Sequence, residues 1–85
     1  MKIKNGYKLI PHNEEFLVCF RDEKPLQTLC LSKIGAFLWE KVSENDISST
    51  QMLDLLLDEF EISTVLALGE IDTFIKSMKE NGIFE

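Results

Sequence analysis

The hydrophobic period changes once along this chain, and that change fixes the class of fold. Residues 6–31 repeat with a period of about two and residues 32–82 with a period of about 3.6, the signatures of strand and helix. The strands therefore come first and the helices second, the order of an α+β domain.

Within the first part, Tyr7-Lys8-Leu9-Ile10-Pro11 alternates weakly, and His12-Asn13-Glu14-Glu15 breaks the pattern with turn-forming residues. Phe16-Leu17-Val18-Cys19-Phe20 reads as a second strand, with Phe16, Val18 and Phe20 on one face. Arg21-Asp22-Glu23-Lys24-Pro25 is charged, ends in proline and reads as a second turn, and Leu26 to Leu31 reads as a third strand. Two short connections in a row predict a three-stranded antiparallel meander.

Three helices follow. Ser32 is a good N-cap for the first, with Ile34, Phe37, Leu38 and Val42 at helical spacing and Trp39 off that stripe as a half-buried structural residue. Ser48-Ser49-Thr50-Gln51 fits a capping box for the second, whose stripe is Met52, Leu53, Leu56 and Phe60. The third runs from Ser63 to about Asn81, with Leu68, Ile71, Phe74, Ile75 and Met78 as its apolar face. Gly69 inside it predicts a kink or a later start. Gly82 suits a left-handed position past its end, with Ile83 folding back on Met78. All 85 residues make one domain, with no linker and no internal repeat.

Charge narrows the partners. The net charge is −6, unevenly spread: residues 1–33 hold six Lys/Arg against four Asp/Glu, and residues 34–85 hold three against eleven. A winged-helix regulator of DNA is the alternative suggested by the element order. Its third helix would need Arg or Lys for the major groove, whereas residues 63–81 carry Lys76 and Lys79 against Glu70, Asp72 and Glu80. Nucleic acid is thus disfavoured. No apolar run approaches the roughly 20 residues that span a bilayer, and the start lacks a hydrophobic signal core, so the expectation is a cytoplasmic protein without a membrane partner.

The inventory for catalysis is poor. One histidine, His12, sits in a turn with no second histidine or cysteine near it in sequence. Gly35 and Gly69 belong to no phosphate-binding loop. Cys19 and Cys30 lack metal-ligand spacing and read as reduced, semi-buried residues, with a cross-strand disulfide as the minor alternative. The default is a non-enzymatic binding module without a metal or cofactor. A planar quinone stacked on Trp39 and the phenylalanines is an alternative that the residues do not require.

Two segments carry a resemblance. Leu31-Ser32-Lys33-Ile34-Gly35-Ala36-Phe37-Leu38-Trp39-Glu40, and then Gly69-Glu70-Ile71-Asp72-Thr73-Phe74-Ile75-Lys76-Ser77-Met78 followed by Gly82-Ile83, resemble in order the coenzyme pyrroloquinoline quinone synthesis protein D family. The resemblance covers about two thirds of the chain and implies a winged-helix-like fold. It also implies a non-catalytic adaptor that binds the leader segment of a ribosomally made precursor peptide. The adaptor presents that peptide to a modifying enzyme, often a radical S-adenosylmethionine enzyme. The family pattern places the peptide as an added strand beside the third strand, in a groove walled by the third helix.

The peptide-binding residues implied are Gln27, Thr28, Leu29, Cys30 and Leu31 on the strand. On the helix they are Ile71, Phe74, Ile75 and Met78, with Asp72 and Lys79 as rim charges. The competing assignment for the apolar helix positions is simple core. Proline at Thr28 or Leu29 is expected to weaken binding, more so at whichever amide points outward. An uncharged edge from Leu26 to Leu31 also leaves a homodimer through that strand open.

Overall fold

A computed structural model describes residues 1–20 and 26–84, with residues 26–29 described as backbone. The meander forms as the periodicity requires. Its strands are β1 (Tyr7–His12), β2 (Glu15–Phe20) and β3 (Leu26–Leu31), antiparallel and in the order β1-β2-β3. Asn13, in the turn between β1 and β2, takes a left-handed φ of 57°, a conformation asparagine tolerates better than most residues. The charged turn expected at Arg21–Pro25 lies outside the described residues. Three helices complete the winged-helix-like α+β arrangement: α1 (Lys33–Glu44), α2 (Ser49–Glu59) and α3 (Thr64–Glu80).

Each helix starts on a serine whose hydroxyl accepts the third amide of the helix. Ser32 accepts from Gly35, Ser48 from Gln51 and Ser63 from Leu66, at 3.2–3.3 Å. Gln51 closes the capping box, its Oε1 accepting from the Ser48 amide at 2.8 Å. α3 runs through Gly69 without interruption and ends in a Schellman motif. Gly82 takes a φ of +65°, its amide donates to Lys79, and the Ile83 amide donates to Met78 at 3.0 Å.

The core joins one sheet face to the three helices through Val18, Leu31, Leu38, Trp39, Met52, Leu56, Ile71, Phe74, Met78 and Ile83. Along α1 the buried positions are Gly35, Leu38, Trp39 and Val42. The expected stripe is thus rotated by about one residue, and Trp39 is core rather than half-buried. The cause is close contact at Gly35. A Cβ there would stand 3.2 Å from Leu31 Cβ, so the helix rests on β3 with its glycine inward. In α3, Ala67 and not Leu68 completes the buried set, and Leu68 is exposed.

The chain ends also pair. Ile3 bridges Phe84, and the Lys4 amide donates to Ile83 at 2.8 Å. The Met1 ammonium meets the Asp46 carboxylate, which holds that carboxyl below its ordinary range. No helix among the described residues is long and apolar enough to cross a membrane.

Candidate functional site

A three-stranded sheet has two outer edges, and the sequence makes them unequal. Pro11 has no amide hydrogen, so it cannot donate to β2. Facing Phe16, it must form a non-hydrogen-bonded pair, with its nitrogen on the outer side of β1. The β1 edge therefore lacks a donor where a partner strand would need one, and Lys8 adds charge to the same strand.

The alternation set by Pro11 carries across the sheet. If Pro11 and Phe16 do not exchange hydrogen bonds, the polar backbone groups of Phe16 face β3. Phe16 pairs with Leu31, so the N–H and C=O of Leu31 point inward to β2. Those of the next residue, Cys30, point to the open edge. The register slips beyond this point, with Leu17 facing Cys30 and Val18 facing Leu26, and residues 27–29 lie within the slip. Among the described residues, β3 has β2 as its sheet neighbour and its far side uncapped.

A groove of about 240 Å³ runs beside this edge, lined by Cys30, Leu31, Ser32 and Gly35 on one side and Glu70, Thr73, Phe74 and Ser77 on the other. The α3 residues follow the i, i+3, i+4, i+7 rule, so they share a face. Glu70 and Ser77 are half-buried, Thr73 is exposed, and Phe74 is buried with its ring 6.1 Å from Phe84. One turn before Glu70, the same face carries Leu66, an apolar side chain 59% exposed. At about 1.5 Å per residue, Leu66 to Ser77 spans roughly 16 Å, close to the roughly 20 Å of a six-residue strand.

Cys30 stands at the rim of this groove. Its thiol is pushed above the ordinary value by partial desolvation first, and then by the hydrogen bond and negative charge of Glu15. Cys30 is exposed and Cys19 buried, so neither is semi-buried; both are thiols, not joined in the disulfide held as the alternative.

The structure divides the residues implied by the family pattern. Cys30, Leu31 and Phe74 line the groove. The side chains of Gln27, Thr28 and Leu29 lie outside the described residues. Ile71 and Met78 point into the core at 4% and 0% exposure, and Ile75 is half-buried against it. Asp72 and Lys79 are exposed, but about half a turn round α3 from the Glu70–Ser77 face, so they are not on the rim of this groove. Ser32, Gly35, Glu70, Thr73 and Ser77 also line the groove and were not among the residues expected from the sequence. The apolar stripe of α3 faces the core, and the groove takes the flank beside it. The short polar residues Thr73 and Ser77 at a four-residue interval were the signal for that flank.

No family model matches the chain, and no curated protein matches it. Among solved structures, the fold is similar to that of TbiB1 in complex with the TbiA(beta) leader peptide. The TM-score is 0.70, over all of this chain and 95% of that one, at 17% sequence identity. At that identity the likeness is one of fold.

Proposed function

We propose that this protein is a non-catalytic adaptor that binds the leader segment of a ribosomally made precursor peptide and presents the peptide to a modifying enzyme. The observation that carries the proposal is the open β3 edge, with the Cys30 N–H and C=O facing outward beside the groove of α3. An extended segment laid there gains main-chain hydrogen bonds whatever its side chains, and the groove reads alternate side chains for specificity. Support also comes from the fold shared with TbiB1, whose structure contains a leader peptide. Leu31, Phe74 and the exposed Leu66 supply apolar contact, and Glu70 favours a basic residue in the bound segment.

On this reading the enzyme served is a radical S-adenosylmethionine enzyme or another peptide-modifying enzyme, in pyrroloquinoline quinone or related peptide biosynthesis. The test is a titration of isotope-labelled protein with a synthetic leader from a precursor encoded beside its gene. Binding at micromolar concentration or tighter, with amide shifts in residues 26–31 and 70–77, is expected. Shifts confined to α2 would sink the proposal.

A further inference from the structure

The molecule has a second concave surface, on the opposite edge of the sheet from the β3–α3 groove. It is an open hollow of about 740 Å³ between β1 and α1, and its apolar walls include Tyr7, Leu9, Phe16, Phe37 and Phe60. These five are half-buried, so each presents part of its side chain to the hollow. Phe37 and Phe60 meet edge to face at 5.3 Å, which holds the aromatic wall in place.

Charge around the hollow runs against the rest of the chain. Among its described lining residues, Lys8 and Lys33 are the cations and Glu40 the carboxylate. The Lys41 ammonium lies 5.3 Å from the Phe37 ring centroid, adding a third positive charge beside the same wall. The whole chain has fifteen acidic residues against nine basic ones. A basic rim on an acidic protein selects an acidic partner at this face and disfavours it elsewhere.

The shape of the partner follows from Pro11. That residue removes a donor from the β1 edge, so an added strand is disfavoured here and contact falls to side chains. An apolar hollow entered through side chains suits an amphipathic helix with anchors at i, i+3, i+4 and i+7. We propose that the β1–α1 hollow docks an amphipathic helix of a partner protein, with apolar anchors flanked by Asp or Glu. This surface is separate from the leader-peptide groove, so the two can be occupied together.

The test uses the full chain, isotope-labelled, with two synthetic helical peptides of about 18 residues, or five turns. Both carry the same Leu/Phe stripe, flanked by Glu in one and by Lys in the other. The Glu peptide is expected to shift amides of β1 and α1. Its affinity should fall roughly tenfold in the Lys8→Glu/Lys33→Glu double variant, and also as salt rises from about 0.05 to 0.5 M. Both lysines are exposed, so the variant keeps its fold. A Lys peptide that binds equally well would overturn the proposal. So would shifts on β3 and α3, or none at about 1 mM peptide. The double variant should still bind the leader peptide. Failure of the leader to bind wild type would refute the other reading and leave this one standing.

Discussion

Replacing Cys30 by proline tests strand addition at the β3 position whose backbone groups the register turns to the open edge. The Cys30 N–H faces the open edge and takes no part in pairing with β2, so its loss leaves the existing ladder whole. Proline is tolerated on an edge strand in that orientation, and Cys30 is exposed, so no core packing is lost. What disappears is one main-chain donor to the bound peptide. A net hydrogen bond contributes about 0.5–1.5 kcal/mol, so leader affinity should fall roughly 2- to 12-fold. Cys30→Ala keeps the donor and should bind within about twofold of wild type. Leu31→Pro removes an inward donor together with a buried side chain, and should lose the fold. Anisotropy of a labelled leader gives the affinities, and thermal melts give the fold. N-methylation along the leader offers a second view, with losses recurring at every other residue. A folded Cys30→Pro protein that binds like wild type would refute strand pairing.

Glu70→Lys should weaken a leader carrying a basic residue opposite it by several-fold and should strengthen an acidic-substituted leader, both read by the same anisotropy assay. Alkylation of Cys30 should need a higher pH than a free-cysteine peptide, because desolvation and Glu15 oppose the thiolate; Glu15→Gln should bring the rate midpoint down, and bound leader should slow the reaction. Gly69→Ala should stabilise by about 0.4–1 kcal/mol and raise the melting temperature by a few degrees, since a Cβ there meets nothing within 4 Å. Gly82→Ala should cost about 1 kcal/mol or more, because its φ of +65° strains any side chain, and urea unfolding separates the two signs.

The elements were legible because their signals are local. The change of hydrophobic period at residue 32, the serine caps and the Gly82-Ile83 ending all act within a few residues of themselves. The faces were harder to read. A stripe of apolar residues gives the side of a helix that avoids water, but α1 and α3 each bury only part of that stripe. In α1, contact between Gly35 and Leu31 turns Trp39 inward. In α3, Ile71 and Met78, which periodicity alone offers to the groove, face the core, and the groove takes Phe74 with the polar flank beside it. The pairing of Ile3 with Phe84 had no local signal at all, since its partners lie at opposite ends of the chain.

Pro11 has a consequence for assembly. A sheet with two receptive sides can recruit copies of itself without limit, each newcomer offering a fresh docking side to the next. Here only one side is receptive, so two molecules that meet through it consume both of their vacancies. Growth then stops at a closed pair, and copies of the chain are kept from threading through their sheet edges into a filament.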